Sequence, residues 1–298
     1  MSSPHVEKQS PKPTGQNRRS GRRRSLVWIV LGCLLLSYPV VATLWNDHQL
    51  KEQAEMYRGS VENIQPSEDR QRYIDEARAY NAQLATSGHH AFPANEEAPG
   101  FDSYMNTLNA PETHGMIARI LVPSIAVDLP VYHTTNPSVL YEGAGHMFGS
   151  DLPVGGPGTN SVISAHTGMV NASMFDRLPQ LKQGEIAVVE VMGEMLYYRV
   201  TGSEVVGPFE HEAITYEEGK DKLTLVTCTP YGINTDRLLV ELERTSPPAT
   251  LLEDTGLTLS WWMKIVLVVL FLVITFVVVS EWRRRKRRRQ AAPPVAAE

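Results

Sequence analysis

Thr224-Leu225-Val226-Thr227-Cys228-Thr229-Pro230-Tyr231-Gly232-Ile233-Asn234-Thr235-Asp236-Arg237 decides how this chain is read. The apolar and β-branched run 223–227 predicts a strand, Thr-Pro-Tyr-Gly a loop, and 237–242 a second strand. If those strands are antiparallel neighbours, Cys228 and Arg237 stand side by side at one rim. The thiol is also isolated. The chain has two cysteines, and the other, Cys33, lies in an apolar stretch near the N-terminus. An unpaired thiol in an oxidising compartment is a liability unless its chemistry is used.

Charge and hydropathy bear on the compartment. The net charge of −5 over 298 residues averages three different regions. Residues 1–25 carry seven Lys and Arg against one acid, and 283–289 are all basic. Between the apolar stretches, residues 46–259 hold 13 basic and 30 acidic side chains. Each basic cluster abuts an apolar run, so topology explains it better than nucleic-acid binding, and no nucleic-acid partner is expected. Residues 26–44 are uncharged, and 261–280 carry one charge, Lys264. Both are about the ~20 residues a membrane helix needs. Trp261, Trp262 and Trp282 flank the second as interfacial rings do. Basic clusters stay inside, so both termini are expected in the cytoplasm and 46–259 outside the cell membrane. A cleaved signal peptide is the alternative for the first segment.

The expected organisation is a basic tail (1–25), a membrane helix or signal anchor (26–45) and a helical extension (46–86). A lid-like loop region (87–115) follows, then a β domain (116–245), a linker (246–260), a membrane helix (261–280) and a second basic tail (281–298). Leu50, Ala54, Tyr57, Val61 and Ile64 recur at helical spacing before Pro66, and 68–84 reads as a second helix. These helices could form a stalk or pack on the domain. Gly and Pro punctuate 86–115, including Pro93-Ala94-Asn95. From Met116 short strands are expected over 116–122, 161–165, 185–191 and 195–200, with Met192-Gly193-Glu194 turning a hairpin. Without helix–strand alternation, a mainly β, antiparallel barrel or sandwich is favoured.

The candidate chemistry is Cys228, His166 and Arg237. A cysteine is intrinsically nucleophilic, and a nearby cation raises its thiolate fraction. His166 can serve as that cation and then protonate a leaving amine. Arg237 stays charged and offers a fork of donors to a developing oxyanion or a peptide backbone. His166 ends the 161–165 strand, so three strand ends could converge. Each residue also has a plainer role: Cys228 a small core residue, His166 a surface or structural residue among the nine histidines, Arg237 a surface ion pair.

At these residues the sequence resembles the sortase family. The 224–237 stretch is similar to its TLxTC signature with an arginine on the following strand. Gly145-His-Met-Phe-Gly-Ser-Asp-Leu-Pro-Val-Gly-Gly-Pro-Gly-Thr-Asn-Ser-Val-Ile-Ser-Ala-His166-Thr-Gly168 resembles the block carrying its histidine. The resemblance runs from about residue 116 to 243. The helical extension and the C-terminal apolar segment resemble the pilus-assembling class C. That class has a lid with an aspartate and an aromatic residue two positions on, and Asp102-Ser103-Tyr104 fits it. Ser103 stands where proline is common, and Thr167 where arginine is common. Alternatively, Asp102 caps a short helix covering Tyr104, Met105 and Leu108.

The resemblance implies a sortase-type eight-stranded β-barrel with an N-terminal helical extension and flanking transmembrane helices. It implies transpeptidation: Cys228 attacks the threonine carbonyl of an LPxTG-type sorting signal on a pilin or surface-protein precursor. A thioacyl enzyme forms, and a pilin lysine amine resolves it. No metal or organic cofactor is implied. A housekeeping sortase feeding a cell-wall precursor, a thiol hydrolase and a catalytically silent scaffold are the rival readings.

Overall fold

The computed structural model describes residues 16–91, 96–248 and 259–290. Most of the first basic tail, the Pro93-Ala94-Asn95 loop signal, most of the 246–260 linker and the end of the second tail lie outside the described residues. The chain divides into two units, Met1–Val41 with Trp262–Glu298, and Ala42–Trp261.

The first unit holds the apolar parts of two long helices, α1 (Gln16–Glu62) and the last helix, α5 (Trp261–Gln290). Both are long and apolar enough to cross a membrane, with mean hydropathies of 2.2 and 2.9 over their most apolar windows. Leu35 is 75% exposed and Phe276 74%. Apolar surface on this scale suits lipid, where a helix satisfies its own backbone.

The second unit is a closed barrel. Its strands are β1 (Met116–Val122), β2 (Val127–His133), β3 (Ala144–His146), β4 (Thr159–Ser164), β5 (Ile186–Val191), β6 (Glu194–Val206), β7 (Asp221–Thr229) and β8 (Asp236–Thr245). The order round the barrel is β1-β2-β3-β4-β7-β8-β6-β5, and β5 closes onto β1. The barrel expected as antiparallel is mixed: β2–β3 and β4–β7 pair in parallel. Parallel neighbours need a crossover. Here the short helix α4 (Pro137–Glu142) bridges the first pair, and the β5–β6 hairpin lies between the members of the second. Two strands were not anticipated. β2 carries Pro130 in its middle, a strand breaker by sequence, and β3 has three residues, too few to show a period. The hairpin turns at Met192 and Gly193, both at positive φ (46° and 87°), the geometry a two-residue turn needs.

The extension packs on the barrel and is not a free stalk. Tyr57 of α1 is fully buried; its hydroxyl donates to Ile117 O (2.9 Å) and accepts from Met192 N (3.0 Å). Arg58 forks onto the Glu190 carboxylate at 2.7 and 2.9 Å. On α2 (Glu68–Ser87), the Asn81 side chain accepts from Leu152 N (2.8 Å) and donates to Leu152 O (3.0 Å). A buried amide with both ends satisfied fixes rotation as well as distance.

Candidate active site

Antiparallel register pairs Cys228 on β7 directly with Arg237 on β8. Opposed residues project from the same face with Cβ atoms roughly 5 Å apart. Which face follows from the period of two. Leu223 and Leu225 join the main core, whereas Val226 packs with Val162, Leu239 and Met147 in a second apolar cluster. Cys228 and Arg237 therefore lie on the outer face, at the end of an apolar floor.

β4 runs beside β7 with Ser164 opposite Val226. Ala165 N donates to Val226 O (3.2 Å), and Thr227 Oγ1 donates to Ala165 O (2.8 Å). These bonds zip the two strands up to the residue before His166, which emerges at the rim level with Cys228. Its imidazole is half-buried, with Tyr141 of α4 at 5.6 Å between ring centroids in an edge-on contact. Burial pushes the His166 pKa below its usual 6.5. A desolvated imidazole favours the neutral form, which can take the thiol proton and later deliver it. Arg237 Nη1 donates to Asp236 O (3.0 Å) and Asn234 O (3.3 Å), so its own loop holds the guanidinium. The structure thus brings the three sequence-predicted residues to one rim.

Asp102 and Tyr104 separate: Tyr104 is turned into the core and Asp102 stays at the surface. They lie on the short helix α3 (Phe101–Asn106), inside the region expected as loop. Asp102 is in the first turn, with Gly100 as the N-cap, and is exposed. Tyr104 is fully buried. Its hydroxyl accepts from Thr134 N (3.0 Å) and lies 3.0 Å from His146 Nδ1 and 2.9 Å from His146 O. His146 Nε2 is 2.8 Å from the Asp151 carbonyl, which only accepts, so Nε2 carries the proton and Nδ1 accepts. Burial pushes His146 down to about 3 and the neighbouring His133 to about 4, keeping both neutral. A buried tyrosine needs hydroxyl partners, and this one finds them on β3 and just after β2. The segment on the outer face is instead 89–91. Ala91 belongs to the apolar cluster with Val226 and Leu239. His89 stacks on Tyr216 at 3.6 Å and places Nε2 3.0 Å from the Asp151 carboxylate.

Sequence reasoning missed four neighbours. Tyr141 gave no signal, and His89 read as loop. Tyr231, next to the cis Thr229–Pro230 bond, packs edge-on against Trp261 at 5.7 Å. Asp176 accepts from Gly168 N (2.8 Å) and Thr167 Oγ1 (3.1 Å), immediately after His166. It lies ten residues beyond His166 across a connection that no sequence period spans.

Residues 120–245 match the sortase domain family. Among solved structures the chain is similar to sortase C-1 from Actinomyces oris, at 40% identity over 60% of this chain and 99% of that one, with a TM-score of 0.55. It is also similar to sortase C from Streptococcus pneumoniae, a structure described in terms of pilin substrate specificity: 33% identity, 67% of this chain, 100% of that one, TM-score 0.57. Sortase A of Bacillus anthracis is 30% identical over 125 residues, 42% of this chain and 58% of the relative, so the match spans less than two thirds of that curated protein. The chain belongs to the sortase family. Its structural neighbours include class C sortases.

Proposed function

We propose that this chain is a membrane-anchored cysteine transpeptidase that cleaves LPxTG-type sorting signals and joins the acyl fragment to an amine. The observation that carries the reading is the cross-strand pair Cys228–Arg237, with His166 at the end of the adjoining parallel strand. Cys228 Sγ attacks the threonine carbonyl carbon. The carbonyl oxygen takes up the negative charge, and the Arg237 guanidinium stabilises it or holds the bound backbone. The bond to glycine breaks as His166 gives a proton to the departing amine, leaving a thioester on Cys228. An incoming amine loses its proton to His166 and attacks the thioester, and the thiolate leaves.

The acceptor is a pilin lysine amine, so that repeated cycles build a covalent fibre. Similarity to sortase C structures, the docked helical extension and the C-terminal apolar helix support this over a housekeeping role. By the positive-inside rule both termini face the cytoplasm and the barrel lies outside. In that setting the precursor and the enzyme are tethered to the same surface. Asp102 and Tyr104 take no part in the proposed chemistry.

The test is partition between acceptors. Full-length protein in detergent, with an LPxTG-type peptide and a pilin-derived lysine peptide, is expected to form a branched product that Cys228→Ala does not form. Carboxylic acid product alone, unchanged by added amine, would make the enzyme a hydrolase.

A further inference from the structure

The loop that follows His166 folds back on it, since Phe175 N donates to His166 O at 3.0 Å. Two carboxylates brace its backbone. At the start of the loop, the buried Asp176 accepts from Gly168 N and Thr167 Oγ1 through one oxygen. Further along, Asp47 of α1 accepts from Ser173 N at 2.7 Å, and one turn earlier Thr43 donates to Val170 O at 3.0 Å. Arg177, also buried, lies close enough to favour the charge on both acids and donates to Ala126 O at 3.1 Å. On the thiol side, burial followed by the Asp176 charge raises the phenol of Tyr231, three residues beyond Cys228, to about 12. A Cβ on Gly168 would meet Gly232 N at 3.4 Å, so the two loops touch through their backbones.

Burying carboxylates costs free energy unless donors are aimed at them. Desolvation pushes Asp176 up to about 6, with the Asp47 charge adding to it, and burial raises Asp47 too. Neither acid touches the reacting atoms, so both act through the backbone they hold.

We propose that Asp176 and Asp47 are positioning residues for His166: they clamp loop 167–176 at two points so that the imidazole is presented to Cys228, and Asp47 makes α1 part of the active-site frame. This rests on reading Cys228 and His166 as the reacting pair. The helix that continues the first apolar segment thereby contributes to catalysis beyond tethering.

The test uses the full chain in nanodiscs. Asp176→Ala and Asp47→Ala are compared with Asp176→Asn and Asp47→Asn, which keep an acceptor oxygen for the same donors. Asn81→Ala, which loosens α2 from the barrel away from the loop, controls for instability. Two readouts are taken well below each variant's Tm: acyl transfer from an LPxTG-type peptide, and the pH profile of Cys228 alkylation by iodoacetamide. His166→Ala identifies the limb of that profile that belongs to the imidazole. The alanine variants are expected to lose kcat by tenfold to about 100-fold, the scale of a small misplacement, with KM little changed. Their His166-dependent limb is expected to shift or vanish. The asparagine variants stay within about threefold of wild type because their amide oxygens accept the same bonds. Retention of kcat by both alanine variants, an equal loss in Asn81→Ala, or no His166-dependent limb in wild type overturns the proposal. If wild type transfers no acyl group yet the limb exists and moves in Asp176→Ala and Asp47→Ala, the function reading fails and the positioning role stands.

Discussion

Two regions of this molecule carry polar residues that sequence reasoning marked for chemistry, and they turn out differently. The β7–β8 rim puts Cys228 opposite Arg237. The 87–115 connection sends Tyr104 into the core, where His146 and Thr134 hold its hydroxyl. The contrast shows what each kind of segment conveys. A strand has a fixed period and a fixed partner spacing, so residue numbers become positions. A connection has neither. The same residue types can there anchor the fold or serve a reaction, and only their burial and partners distinguish the two.

The sharpest break of this contrast is at Tyr104. Tyr104→Ala should cost about 3–5 kcal/mol of stability, as large-to-small core changes do. Tyr104→Phe, which leaves Thr134 N and His146 without the hydroxyl, should cost about 1–3 kcal/mol. Denaturant titration measures both. Neither should change the rate at which folded protein reacts with a thiol reagent. Acceleration of that rate would return Tyr104 to the role of active-site cover.

Arg237 should behave in the opposite way. Arg237→Ala is expected to lower kcat/KM by about 10²–10³, the scale for one lost oxyanion donor. Because Arg237 is partly exposed at the rim, the melting temperature should move little. Arg237→Lys keeps the charge but not the fork and should recover only part of the rate. A stability loss matching the activity loss would make Arg237 structural.

A smaller effect tests the electrostatics of the rim. Burial lowers the His166 pKa, so the acid limb of kcat/KM should fall below pH 6.5, whichever member of the Cys–His pair holds the proton at rest. A limb at or above 6.5 would mean that substrate-free His166 is solvated or paired with an acid. The smallest expected change is at His89. Removing its stack on Tyr216 and its contact with Asp151 should loosen the segment on the outer face. Alkylation of Cys228 in His89→Ala should then rise by about two- to fivefold, the scale of one aromatic contact. An unchanged rate would mean that 89–91 does not limit access.

How much was legible in the sequence follows the same division. The candidate trio could be read because each member sits at or beside the end of a β-rich run. The helices α1 and α2 could be read from their apolar spacing and from Pro66. β3 could not, because three residues show no period, and β2 could not, because Pro130 stands inside it. The parallel β4–β7 pair was hidden by the intervening hairpin. That pair decides the geometry of the candidate site, since its register brings His166 level with Cys228. Asp176 and Asp47 stayed silent because their roles depend on backbone donors, Gly168 N and Ser173 N, whose identity no side-chain pattern reports.

The central claim is that Cys228 is the acylated nucleophile at this rim. Intact-mass spectrometry of the full-length protein incubated with an LPxTG-type peptide, followed by peptide mapping, tests it directly. The expected result is a mass increase equal to the peptide fragment ending at threonine less one water, located on Cys228, absent in Cys228→Ala and discharged by an added amine. An adduct on another residue, or acyl transfer that persists in Cys228→Ala, would contradict it.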